Sequence, residues 1–338
     1  MMRTILTFIP ALLFKAVSSL RNLLFDRQVL SSQKFASPFI LVIGNLSVGG
    51  TGKSPLVTYL VQHWPWKSEV GVLSRGYGRK TKGFQWVQPL STAKDVGDEP
   101  LAYKKLFPNV PVAVCEKRPM GVQKMVDVFP FLDTVILDDA FQHRRITGNL
   151  NIVCTTYNKP FFEDQMMPMG RLRESISGIH RADALFVNRC PPDFKEPEFI
   201  RKARKYIPDS MPIFYTQVKY GQIVGPQAKK IKWHLLAGIA DPLPFSEYVS
   251  SQFQVISERI FPDHHAFSYD EISELNQMAQ KLPVDEGILT THKDYMRFID
   301  SFSSFPDLKE KLHYLPIEMS FVNQEKEFWA WLGNKMKR

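Results

Sequence analysis

The chain has 338 residues, 44% hydrophobic and 23% charged, an ordinary globular composition with material for two domains. Its formal net charge of +9 calls for an anionic partner and does not choose among nucleic acid, an anionic membrane and a phosphorylated substrate. Cys115, Cys154 and Cys190 stand far apart with no C-x-x-C pair, which argues against a disulfide framework or cysteine metal site and for reduced thiols in a cytoplasmic compartment.

The first 25 residues are apolar enough to need a separate decision. The uninterrupted run from Ile5 to Phe14 is broken by Lys15, short of the roughly 20 residues a spanning helix needs, and no small-residue cleavage site follows it. At helical spacing Ile5, Phe8, Ile9, Leu12, Leu13, Ala16, Val17, Leu20, Leu23 and Leu24 share one face, with Lys15, Ser18, Arg21 and Asn22 opposite. Such a helix either packs on its own domain or lies in the plane of an anionic membrane; the width of the apolar stripe favours the membrane.

The apolar run Phe39 to Ile43 predicts a buried strand. It leads directly into Ser47-Val48-Gly49-Gly50-Thr51-Gly52-Lys53-Ser54 and then into a helical pattern from Pro55 to His63. Strand, glycine-rich turn and helix form a phosphate-binding loop: glycines let successive N–H groups converge on a phosphate chain, and the helix N-terminus favours an anion. Lys53 is placed for the outer phosphates and Ser54 for Mg²⁺, so a nucleoside triphosphate is the expected ligand. Ser47 occupies the position where the consensus has its first glycine.

A second strand, Glu69 to Leu73, ends at Ser74-Arg75-Gly76-Tyr77-Gly78-Arg79-Lys80, which is either a solvated basic turn or a phosphate clamp. Asp98 and Glu99 precede a helical stretch, where they serve as first-turn acids or, in a kinase, as a general base or metal-organising group. The strand Val110 to Cys115 follows. Thr134 to Asp138 is then a buried strand ending in Asp138-Asp139, with Gln142, His143, Arg144 and Arg145 after it; a strand-end carboxylate completes a phosphate-loop site by holding Mg²⁺. Further strands are expected at Leu150 to Cys154 and Ala182 to Val187. Between them Gly170-Arg171-Leu172-Arg173-Glu174 offers arginine forks for phosphoryl oxygens, or a surface ion pair. Pro212 to Val218 and Gln222 to Ile231 predict a β-ribbon linking two domains. His234 to Ala240, Phe253 to Arg259 and Gly287 to Thr290 predict strands of a smaller α/β unit, and Phe328 to Lys337 a closing helix. His264 and His265 after Asp263 lack a further ligand at fixed offset, which argues against zinc and leaves a role in proton removal.

Taken in order, Gly44 to Pro55, Ser74 to Gly78, Gly97 to Pro100, Leu137 to His143, Gly170 to Glu174 and Phe261 to His265 resemble the tetraacyldisaccharide 4'-kinase family of lipid A assembly. The resemblance spans nearly the whole chain. It implies transfer of the γ-phosphoryl group of ATP, with Mg²⁺, to the 4'-hydroxyl of a tetraacylated glucosamine disaccharide 1-phosphate, at the cytoplasmic face of the inner membrane. By motif, Lys53 and Ser54 look like the phosphate and metal residues, and Asp98 looks like the base, supported by His264. Asp138, Asp139 and His143 resemble the group around metal and sugar, Arg171 a phosphoryl contact, and Glu99 and Glu174 further members of the site. Ser54, Asp138, Asp139 and Glu174 are thus the metal candidates, and Arg75, Tyr77, Glu99, Gln142 and His143 the substrate candidates. Ala140 stands where the family usually has glycine, and Ser54 where it often has threonine; both are small and compatible with the role.

The expected fold is α/β: a mostly parallel, phosphate-loop NTPase-like sheet flanked by helices, with a smaller C-terminal α/β domain. The expected divisions are a membrane helix over 1–27, the kinase domain over 28–211, the ribbon over 212–231 and the smaller domain over 232–338. The expected partners are ATP, the acylated lipid and an anionic membrane surface, with no protein partner. Nucleic acid is disfavoured because the cations gather at glycine turns without an aromatic track. A membrane-associated regulatory NTPase and a soluble kinase for a small acceptor are the competing readings.

Overall fold

The computed structural model describes residues 2–66, 69–226, 232–239, 241–263 and 265–337, with side chains except those of residues 2–6 and 300. The first part runs α1 (Met2–Asp26), β1 (Phe39–Asn45), α2 (Lys53–Gln62), β2 (Glu69–Ser74), β3 (Gln85–Trp86), α3 (Ala93–Val96), α4 (Asp98–Leu106) and β4 (Val112–Val114). It continues through α5 (Arg118–Val128), β5 (Leu132–Asp138), β6 (Leu150–Thr156), β7 (Ala184–Asn188), α6 (Glu196–Ala203) and β8 (Ile213–Tyr220). Then come β9 (Lys232–Ala237), α7 (Leu243–Gln252), β10 (Gln254–Ile260), α8 (Tyr269–Lys281), β11 (Glu286–Thr291), α9 (His292–Phe298) and α10 (Pro306–Lys311). The chain closes with β12 (Leu312–Leu315), β13 (Ile317–Phe321) and α11 (Glu325–Met336).

Among the described residues the strands form two sheets, ordered β13-β8-β7-β6-β1-β5-β2-β4-β3 and β10-β9-β11-β12. β1 lies between β5 and β6 and is parallel to both, with Ile43 opposite Asp138 on one side and Ile152 on the other. Both faces of this sheet are covered, which is why its central strands read as unbroken apolar runs. Leu41, Ile43, Ile136 and Ile152 point to the face packed by α2 and α11, while Ile40, Val42, Val135 and Leu137 enter the opposite core. In the smaller sheet α8 and α10 cover one face and α7 the other.

Two expected boundaries differ. The segment expected to begin a linking ribbon is β8, a strand of the large sheet that pairs parallel with β7. Its expected mate over Gln222 to Ile231 forms, among the described residues, a single bridge from Val224 to Tyr314. Residues 317–336, expected with the smaller unit, belong to the larger one: β13 pairs antiparallel with β8, and Phe321 and Phe328 pack edge-to-face against Phe186 and Phe214. Aromatic burial on the large core draws the chain's end back, a long-range effect that local strand and helix patterns do not encode.

Helix α1 stands largely off this body. Ile9, Leu13, Val17 and Leu20 are each more than half exposed. Contact is concentrated near its end, where Phe25 is buried, Asp26 pairs with Arg144 at 2.6 Å and the Asn22 carbonyl accepts from Arg144 at 2.9 Å. Lys15 interrupts the apolar run, yet Thr7–Asp26, with a mean hydropathy of 1.4, is long and apolar enough by length and composition to cross a membrane.

Candidate functional site

Helix α2 opens without a side-chain cap and without an acid in its first turn, so its N-terminal N–H groups face the glycine loop uncompensated. Gly49 (φ 99°) and Gly52 (φ 89°) adopt left-handed backbone that an L side chain resists. At Gly52 a Cβ would also come within 2.4 Å of the Asn188 Nδ2. Neighbouring strand ends hold the loop from behind. Asn45 donates to Thr51 Oγ1 at 2.9 Å and to the Ser47 carbonyl, and Asn188 donates to the Thr51 carbonyl at 2.7 Å. Ser47 is buried and bridged to Leu172, and the Val48 N–H donates to the Arg171 carbonyl at 2.8 Å, so the 171–173 segment braces the position where glycine was expected.

The acid pair lies at the end of β5, beside the loop. Asp139 turns through positive φ (47°) to meet Lys53 Nζ at 3.6 Å, and Arg173 Nη1 donates to both its oxygens at 2.9 Å. Burial alone would raise its pKa, but Lys53 and Arg173 hold it below the ordinary aspartate value. Asp138 is almost fully buried and displaced the other way, raised by burial and then by Asp139. Its Oδ2 accepts from Ser74 Oγ and Tyr103 Oη, both at 3.3 Å, while its buried Oδ1 has no hydrogen-bond partner among the described residues. Tyr103 also hydrogen-bonds Ser54. Arg118 donates to the Asp138 carbonyl at 3.1 Å from full burial, which lowers its own pKa to about 10.

The Gly170–Glu174 stretch is arranged differently from expectation. Arg171, expected on the phosphoryl group, is committed to Asp164: its Nε donates to Oδ2 at 2.8 Å and its backbone N–H to Oδ1 at 3.0 Å. Arg173 is the arginine that reaches the Lys53–Asp139 pair. Glu174, expected as a metal ligand, is buried with its oxygens taken by Arg181 at 2.8 Å, Gln142 at 3.0 Å and Asn22 of α1 at 2.7 Å. That arrangement locks the carboxylate in an ion pair and leaves no lone pair aimed at a metal. Gln142, expected to touch substrate, also donates to the Asn45 carbonyl at 2.6 Å, and so braces the end of β1. His143 is half-buried; desolvation, helped by Arg118, Arg75, Arg21 and Arg145, lowers its pKa to about 4 and keeps the ring neutral. Arg75 and the Tyr77 ring are exposed at the mouth of β2, on a turn whose Arg79 is bound to Glu116 at 2.6 Å.

Asp98 and Glu99 form the first turn of α4, and α9 of the smaller unit packs against that helix. Arg297 of α9 donates to Asp98 Oδ2 at 2.9 Å, and Lys293 stands 3.2 Å from Glu99, 4.0 Å from Asp98 and 3.9 Å from Asp263. Burial, reinforced by Asp98, raises Glu99 to about 7 against the pull of Lys293. The two expected domains therefore already meet at Asp98. His264, its expected helper, lies outside the described residues.

Among the described residues no cluster of three or more His, Cys, Asp or Glu side chains is arranged as a metal cage. Magnesium does not require one, since it is commonly held by one or two carboxylates together with substrate phosphates. The bare Oδ1 of Asp138, with Ser54 joined to the same acid through Tyr103, fits that mode. Sequence reasoning missed Tyr103, Arg118, Asn188 and Arg297. Asn188 at the end of β7 and Arg118 shortly after β4 carried the strand-end signal that could have found them; Tyr103 and Arg297 lie within helices and carried none.

The family model for tetraacyldisaccharide-1-P 4'-kinase matches residues 3–337. A tetraacyldisaccharide 4'-kinase from Flavobacterium psychrophilum is 37% identical, over 94% of this chain and 92% of its own. One from Porphyromonas gingivalis is 38% identical, over 91% and 90%. The crystal structure of LpxK from Aquifex aeolicus in complex with ATP aligns with a TM-score of 0.76 at 26% identity, over 99% of this chain and 100% of that one.

Proposed function

The chain belongs to the tetraacyldisaccharide 4'-kinase family, ATP-dependent enzymes of lipid A assembly, and on that footing we propose how its site performs the transfer. The γ-phosphoryl group of ATP passes to the 4'-hydroxyl of a tetraacylated glucosamine disaccharide 1-phosphate. One observation carries this reading: Lys53, at the uncapped start of α2, meets Asp139 at the end of β5, with Asp138 buried next to it.

The loop N–H groups and Lys53 bind the phosphate chain. Ser54 and Asp138 would hold magnesium, which would supply charge neutralisation at the phosphates; the buried Asp138 Oδ1 has no hydrogen-bond partner among the described residues. Asp139 fixes Lys53 and Arg173 in register, so that two cations face the transferring group. Asp98 takes the proton of the acceptor hydroxyl. Support for a base near the phosphate site comes from the next residue, Glu99, whose carboxyl feels the charge of both Asp98 and Asp138. Arg75 and Tyr77, exposed at the mouth, are placed to meet the acceptor's polar head. Helix α1, with its apolar side uncovered and basic residues opposite, lies on the cytoplasmic face of the inner membrane, where an acylated substrate resides.

The test is transfer of labelled γ-phosphate from ATP with Mg²⁺ to tetraacyl disaccharide 1-phosphate in detergent micelles. Label is expected in the lipid for the native chain and absent for Lys53→Ala. ATP hydrolysis at the same rate with and without lipid would refute the reading.

A further inference from the structure

The smaller unit contributes more than packing to the cleft. Arg297 is nine-tenths buried and spans two carboxylates, donating to Asp98 Oδ2 at 2.9 Å and to Asp294 Oδ1 at 2.6 Å, and it donates again to the Gly238 carbonyl at 3.0 Å. Asp294 is fully buried and held in turn: its Oδ2 accepts from the Gly238 N–H at 2.9 Å and from Thr291 Oγ1 at 2.8 Å. An unbroken chain of hydrogen bonds thus runs from the ends of β9 and β11 to Asp98. On the other side, Asp98 Oδ1 accepts the Glu99 N–H at 3.0 Å. The carboxylate is pinned from its own helix and from across the cleft.

We propose that Arg297 is a positioning residue for Asp98, fixing the orientation of that carboxylate from the smaller unit so that the catalytic centre is assembled only when the two units are joined. The proposal rests on the reading of Asp98 as base. Joining the units does not itself demand a buried guanidinium, since Arg189 and Asp241 tie them at 3.0 Å on the accessible rim. A planar fork with two donors in fixed directions sets an angle as well as a distance, which an ammonium group does not. Asp98 is faced by Arg297 and Lys293 from α9 and by Glu99 from its own helix; of these, Arg297 makes the short contact to its oxygen.

The experiment is a double-mutant cycle on the full chain, read by labelled phosphate transfer to the tetraacyl disaccharide in micelles. Arg297→Met is expected to lower kcat roughly 100-fold, the scale of a misplaced catalytic group. KM for ATP is expected to change by no more than about twofold, because the phosphate loop is untouched. Arg297→Lys, which keeps charge but loses the fork, is expected to recover only part of kcat. In an Asp98→Asn background the Arg297→Met loss is expected to disappear, because the residue acts through Asp98. Losses that multiply in the double variant, or full activity of Arg297→Met, would overturn the proposal while leaving Asp98 as base. Full activity of Asp98→Asn would instead remove the base, and the proposal with it. Thermal melting and ATP binding report folding; if Arg297→Met does not fold, Arg297→Lys carries the same cycle.

Discussion

Gly52→Ala loads two separate penalties onto one atom at the start of α2. The native φ of 89° costs an L residue roughly 1–2 kcal/mol. The added Cβ would sit 2.4 Å from Asn188 Nδ2 and 2.6 Å from its Cγ, so Asn188 must swing away and release the Thr51 carbonyl, which it now reaches at 2.7 Å. Losing that buried bond adds roughly 1–3 kcal/mol. The sum, about 2–5 kcal/mol, is expected as a lowered melting midpoint. Because the displaced side chain supports the loop itself, affinity for the nucleotide should also fall, which calorimetric titration of a non-hydrolysable ATP analogue would register as a raised Kd. A variant that melts with the native chain and binds the analogue equally well would refute this account of the loop.

The depressed pKa of His143 gives a signed pH dependence. Its folded value of about 4 lies below the ordinary histidine value of 6.5, so the neutral ring contributes stability above pH 6.5 that is lost as pH falls toward 4. His143→Gln should flatten the fall in melting temperature across that window; an unchanged slope would show that other groups govern it. Ile9→Asp together with Val17→Asp, both exposed on α1, should reduce co-sedimentation with anionic phospholipid vesicles without altering the melting midpoint. Undiminished sedimentation would exclude the apolar face of α1 as the contact.

What was legible in the sequence was local. The loop and the acid-ended strand are contiguous, so spacing alone places Lys53 near Asp139, and their contact at 3.6 Å follows from one strand pairing, β1 with β5. Arg171 and Arg173 are two residues apart and chemically alike. Which one faces the site depends on Asp164 capturing the first, a tertiary fact without local pattern. Glu174 entered the metal candidates only through the family resemblance; Arg181, Asn22 and Gln142 occupy its oxygens, and none is its immediate neighbour. The contact between Arg297 and Asp98 joins residues 199 positions apart. Likewise, short runs such as Ile317–Phe321 announce a strand but not the sheet that takes it.

The hydrogen bond from Asn22 to Glu174 couples α1 to the floor of the cleft. Gln142 binds the same carboxylate and the end of β1, so only two side chains separate the helix from the strand that carries the phosphate loop. A helix of 25 residues is about 37 Å long, and from Ala11 to Asp26, beyond Pro10, no proline interrupts it. Seated in a bilayer, such a helix would act as a depth gauge: it would set the height of the cleft above the headgroups. An acceptor held by its acyl chains offers its hydroxyl at a nearly fixed height, so the enzyme need search only sideways, in two dimensions.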